Sequence, residues 1–151
     1  MSLNPFYPLS MANIATELGL SLPLSLNHAW VIALAGKGSL PVSFSDLLGK
    51  TGRYDGTLTG GSAGGSTFVD FPASPFFGGT LNNLVTNLGV NETQINFTGA
   101  PNWSGNIIAK NNSSGISVVL PKINSTTWQG AYTASLVRSG FNDNFTILPH
   151  A

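Results

Sequence analysis

Residues 94–98 read Gln94-Ile95-Asn96-Phe97-Thr98, an alternation of polar and apolar side chains that suits a pleated strand with one buried face. The same period of two returns in Ile116, Val118 and Leu120, in Tyr132, Ala134 and Leu136, and in Phe145 and Ile147. Turn-forming text separates these runs. Asn111-Asn112-Ser113-Ser114-Gly115 has the composition of a hairpin loop, and so do residues 139–142. Short alternating runs with frequent turns predict a mainly β fold, an antiparallel β-sandwich or small barrel, over residues 67–151. Residues 80–88, TLNNLVTNL, fit a strand or a helical turn equally.

Toward the amino terminus the period changes. Residues 10–49 carry the helical pattern, in three short segments each opened by serine and closed by glycine. Ser10 precedes Met11, Ile14, Ala15 and Leu18 on one face, with Asn13, Thr16 and Glu17 on the other, and Gly19 stands at the left-handed closing position. Ser25 and Gly36 bracket a second segment, Leu26 to Ala35, which is apolar almost all round and therefore needs cover on more than one side. Ser43 opens the third, with Asp46 placed as its capping-box partner and Gly49 after Leu48. Residues 1–9, with Pro5, Phe6, Tyr7 and Pro8, read as an extended arm laid on the body or reaching a neighbour. The expected division is an arm and helical attachment lobe at 1–52, a hinge at 53–66 with glycines at 56, 60, 61, 64 and 65, and the β domain at 67–151.

A chain of 151 residues can bury roughly 68–70% of its unfolded surface, enough for a core without covalent staples. There is no cysteine, so disulfides, thiolate metal sites and cysteine nucleophiles are all excluded. Charged residues make up 8%, six acids against six bases, where about 25% is usual in soluble domains. Solubility therefore falls to Asn, Ser, Thr and Gly, and net charge cannot steer an anionic or cationic partner. The most apolar run, AWVIALAG from Ala29, is far too short to span a bilayer, and no membrane insertion is expected. No Lys or Arg precedes Lys37, so the basic start of a secretory signal is missing.

Motifs for chemistry are weak. Gly49-Lys50-Thr51 ends like a phosphate-binding loop, but the position five before Gly49 is Phe44 rather than glycine, and a helix precedes it where a strand is required. Ile14 to Gly19 resembles the first helix and turn of a helix-turn-helix, yet Pro23 delays the next helix, which carries no Lys or Arg to meet phosphates. His28 and His150 lie far apart, and Glu17, Asp46, Asp55, Asp70, Glu92 and Asp143 are scattered without metal-ligand spacing. No nucleic acid, cofactor, metal or catalytic residue is expected. Trp103, in Pro101-Asn102-Trp103-Ser104-Gly105, and Trp128, in residues 125–130, lie in turn-like text. Their ring faces are candidates for stacking on a glycan.

The blocks Glu17-Leu18-Gly19, Ser25-Leu26-Asn27 with Val31 and Leu34-Ala35-Gly36, and Ser43-Phe44-Ser45-Asp46-Leu47 with Gly49-Lys50 resemble a segment near the amino terminus of tailed-bacteriophage virion proteins, many of them tail or tail-fibre components. The match covers about residues 10–52. The chain departs from the pattern at His28-Ala29-Trp30 and at Leu40-Pro41. The resemblance implies a non-enzymatic virion protein, most simply of the tail, that docks through its helical segment onto other virion proteins. A receptor- or glycan-binding adhesin domain of a tail fibre and a capsid cement protein are the alternatives. Phe6, Tyr7, Leu26, Trp30, Val31, Ile32 and Leu34 are the expected partner contacts, and a symmetric homo-oligomer is expected because the arm and the apolar helix need more cover than one small sandwich gives.

Overall fold

The alternation at 94–98 becomes the middle of a strand, Glu92–Gly99, in which Thr93, Ile95 and Phe97 point inward. The computed structural model describes residues 2–151. Strands hold 44% of the chain and helices 12%, so the protein is mainly β. Three short helices come first: α1 (Met11–Leu18), α2 (Ala29–Leu34) and α3 (Phe44–Leu47). The strands follow as β1 (Tyr54–Thr59), β2 (Gly61–Ala63), β3 (Ser66–Phe76), β4 (Gly79–Asn87), β5 (Glu92–Gly99), β6 (Asn106–Asn111), β7 (Ile116–Leu120), β8 (Lys122–Asn124), β9 (Thr127–Gly130) and β10 (Asn142–His150). They form two antiparallel sheets, β1-β10-β6-β7 and β2-β3-β4-β5-β9-β8. Of residues 80–88, all but Leu88 resolve as strand, paired with β3 on one side and β5 on the other.

The core is the sandwich filling. Ile107, Ala109, Phe145 and Ile147 from the first sheet join Val69, Phe71, Leu84, Ile95, Phe97 and Trp128 from the second in one cluster. Strand β10 is buried on both faces, since Thr146 and Leu148 are covered as well as Phe145 and Ile147. Leu148 is covered by the end of α1: a Cβ on Gly19 would stand 3.1 Å from Leu148 Cδ1. Beyond Ile147, β10 loses its β1 partner and pairs with β6 alone, which leaves room in the ladder for Pro149.

The helical lobe shares that core. Ile14, Leu18, Val31, Leu34, Val42 and Leu47 belong to the same cluster as the sandwich residues. Gly52 makes the join possible, because a Cβ there would lie 2.9 Å from Leu18 Cδ2 and 3.1 Å from Leu34 Cδ1. The arm is laid on the body: Leu3 N–H donates to the Lys50 carbonyl at 2.8 Å, and Gly49 N–H to the Asn4 carbonyl at 3.1 Å.

Local expectations divide. Ser10 caps α1 with Asn13 as its reciprocal partner, Gly19 is left-handed, and the Asp46 carboxylate accepts from Ser43 N–H at 2.9 Å. The second helix is shorter than Leu26 to Ala35, because His28 supplies the cap: its Nδ1 accepts from Trp30 N–H at 3.1 Å, leaving Leu26 outside. Within the glycine-rich stretch 53–66, residues 54–59 and 61–63 are strand rather than hinge, and Gly64 and Gly65 form the positive-φ turn into β3. Gly56, Gly60 and Gly61 serve close approach; a Cβ on Gly60 would collide with the Arg138 carbonyl, and Gly60 bonds to Phe141 and Gly140 through its backbone. Tyr132, Ala134 and Leu136 are not in a strand. Their segment carries the chain from the second sheet to the first, and is tied down by the buried Asp143, which accepts from Arg138 Nε at 2.8 Å and Nη2 at 2.6 Å.

Because α1 and the sandwich share a core, Leu18→Ala should cost about 2–5 kcal/mol and lower the midpoint of the sheet signal in circular dichroism as much as that of tryptophan fluorescence. A sheet transition that stays at the wild-type midpoint would contradict the shared core.

Candidate functional site

Two clefts are lined by the helical lobe. The larger, of about 520 Å³, opens between α2, the loop 101–105 and the end of β10. Trp30 forms one wall. It is half-buried, with its ring edge-on to Trp103 at 5.2 Å and to His28 at 5.6 Å. The loop is held against α2 by Asn102, whose Nδ2 donates to the Ala33 carbonyl at 3.0 Å and whose N–H donates to the Phe77 carbonyl at 2.7 Å. Lys37 and Lys122 both line the cleft. Lys37 stands 3.4 Å from Asp46 Oδ2, whereas Lys122 Nζ donates to the Trp103 carbonyl at 3.4 Å and sits 5.5 Å from the centre of the Trp128 ring.

The smaller cleft, of about 350 Å³, lies between the arm and α1, and Glu17 lines it. This side chain was placed on the polar face of α1 by the sequence pattern, but it is only 3% exposed. Its Oε2 accepts from Gly52 N–H at 2.8 Å. Burial raises its pKa to about 7 from the ordinary 4.5, even though the Gly52 and Arg53 N–H groups and the Arg53 charge favour the carboxylate. Arg53 also donates from Nη1 to the Thr16 carbonyl at 3.1 Å, so α1 is fastened to the start of β1 by two neighbouring side chains. Nothing in the local pattern marks Glu17 as buried; its cover comes from Gly52, thirty-five residues on.

The expected partner contacts fall into three groups. Phe6 and Tyr7 are exposed, at 73% and 59%. Leu26, Trp30 and Ile32 are partly buried against the core. Val31 and Leu34 are fully buried inside the protein, so they cannot be partner contacts; the face of α2 that needed cover is covered by the chain's own sandwich. Trp103 and Trp128 are corrected as glycan platforms. Both are buried, with their indole N–H groups donating at 2.8 Å to the carbonyls of Asn106 and Gly105, so their rings are core packing and polar anchors for the loop.

Among the described residues, no group of three or more His, Cys, Asp or Glu side chains is placed to hold a metal ion. Among the same residues, no helix is long and apolar enough to cross a membrane. No family model, curated protein or solved structure matches the chain.

Glu17 binds its proton more tightly folded than unfolded, so the stability this favours is fully present below pH 4.5 and is lost as pH rises through about 7. The span corresponds to roughly 3 kcal/mol. Urea midpoints of the wild type should therefore fall between pH 5 and pH 8, while those of Glu17→Gln should change far less over that window. Equal slopes in the two proteins would remove Glu17 as the cause.

Proposed function

We propose that the protein is a non-enzymatic structural component of a bacteriophage virion, a tail protein that docks on its neighbours through the outer surface of the amino-terminal lobe. The observation that carries this reading is the pair of adjacent, exposed aromatic side chains on the arm, Phe6 at 73% and Tyr7 at 59%, with Leu22 and Leu40 exposed in the same lobe; Leu88, Val90, Val119, Ile123 and Phe141 are exposed in the sandwich. Adjacent large apolar side chains left in water by a folded chain suit a contact surface, and these two immediately precede the segment 10–52 that resembles phage virion proteins. The inner side of the same lobe is engaged with the sandwich, which leaves the arm and the connections between helices as the docking face. Self-association of copies into a ring or trimer belongs to the same reading, because an exposed apolar arm serves a second copy as readily as another virion protein.

The adhesin alternative draws on a different feature, the cleft between α2 and the loop 101–105, whose half-buried tryptophan and polar rim are the composition of a small-molecule site.

A double variant, Phe6→Ser with Tyr7→Ser, removes apolar surface from the arm without touching the core. Virions assembled with it in place of the wild-type chain should carry at least tenfold less of the protein by quantitative mass spectrometry, while the purified variant keeps its thermal midpoint. Normal incorporation, or absence of the wild-type protein from purified particles, would contradict the proposal.

A further inference from the structure

The larger cleft has a chemistry that the docking proposal does not use. Its volume of about 520 Å³ lies in the range of roughly 300–1,000 Å³ that holds small ligands. The charged side chains that line it are both cationic, Lys37 and Lys122, and no Asp or Glu side chain lines it. Lys122 matters most. Lys37 has Asp46 beside it, but Lys122 has no carboxylate partner among the described residues; its contacts are a carbonyl oxygen and an aromatic ring. Trp30 lines the same cleft, and Asn102, Ser104 and His150 supply side chains that donate and accept hydrogen bonds there.

We infer that this cleft binds an acidic saccharide, a pyranose with a carboxylate, with its ring against Trp30, its hydroxyls on Asn102 and Ser104 and its carboxylate at Lys122. Each part of the ligand answers one feature of the wall. An aromatic face takes the apolar face of a sugar ring, short polar side chains take hydroxyls, and an ammonium without an internal counter-charge takes a carboxylate. A neutral sugar leaves Lys122 unanswered. A bare inorganic anion leaves Trp30 unused, and the cleft has none of the arginine forks that hold phosphate bidentately. The loop that carries Asn102 and Ser104 is held in place before any ligand arrives, by the Asn102 bonds to α2 and to Phe77 and by the Trp103 indole on Asn106. The site is therefore preorganised, and it spans the lobe and the sandwich.

The test is an amide and indole chemical-shift titration of the full chain with four probes: D-glucuronate, N-acetylneuraminate, D-glucose and inorganic phosphate. At least one of the two acidic sugars should shift the Trp30 indole and the Asn102 and Ser104 amides with a dissociation constant on the order of 1 mM, a modest affinity for one ring. Glucose and phosphate should bind at least tenfold more weakly. Lys122→Gln should weaken the acidic sugar about tenfold, and Lys37→Gln less, with both variants keeping the wild-type thermal midpoint. No shift at these resonances with either acidic sugar, glucose or phosphate binding as well as the acid, or an unchanged affinity in Lys122→Gln would each overturn the inference. The titration uses purified protein without particles, so its outcome is independent of whether the chain is found in virions.

Discussion

Trp103 lies between two aromatic rings, Phe77 of the sandwich at 5.0 Å and Trp30 of α2 at 5.2 Å, and this contact joins the two parts of the molecule. Everything near it depends on the join. Phe77 N–H donates to the Thr51 carbonyl at 2.7 Å, which carries the chain from the lobe into β1, and Gly52 next to it lets Leu18, Leu34 and Phe77 close over the backbone. Large aromatic side chains bring much apolar area with few rotamers to fix. They suit a junction where a lobe of about fifty residues would be marginal by itself. The same contact sets the walls of the larger cleft, because α2 and the loop 101–105 are held at a fixed separation by Trp30 on Trp103.

Low charge has a consistent physical counterpart throughout the body. Much of the side-chain bonding is made by neutral groups across strands: Gln94 with Gln129 at 2.7 Å, Asn96 with Asn83 at 2.9 Å, Asn112 with Asn144 and Thr146 at 2.8 Å. The ionic groups that are buried have specific partners. Asn111 and Arg138 hold Asp143, and the charge-assisted bonds from Arg138 keep that carboxyl below the usual range. A surface built this way has little long-range field. Recognition by such a protein rests on shape, apolar contact and single well-placed charges such as Lys122.

The sequence was legible where structure is local. Ile95 and Phe97 announce β5, Phe145 and Ile147 announce β10, Ser10 and Gly19 bracket α1, and Ser43 opens α3, whereas Ser25 and Gly36 do not bound α2. It was misleading where meaning comes from distant partners. Glycines at 56, 60 and 61 look the same whether they serve flexibility or close approach, and only their neighbours in the fold, Tyr54, the Arg138 carbonyl and Phe68, reveal which. Trp103 and Trp128 sit in turn-like text, yet carbonyls at 106 and 105 and rings from other strands bury them. The cleft could not have been read at all, since Trp30, Asn102 and Lys122 are brought together only by the docking of lobe on sandwich.

The account makes the lobe and the sandwich one cooperative body, with docking and ligand surfaces presented from a rigid frame. Native-state hydrogen exchange tests this directly, because it reports the opening free energy of each amide separately. The amides of Leu18 in α1 and Leu34 in α2 should open with the same free energy as those of Ile95 and Ile147, through global unfolding. Exchange from the helices at a free energy several kcal/mol lower, with the sheets still protected, would show a lobe that opens by itself and would contradict the account.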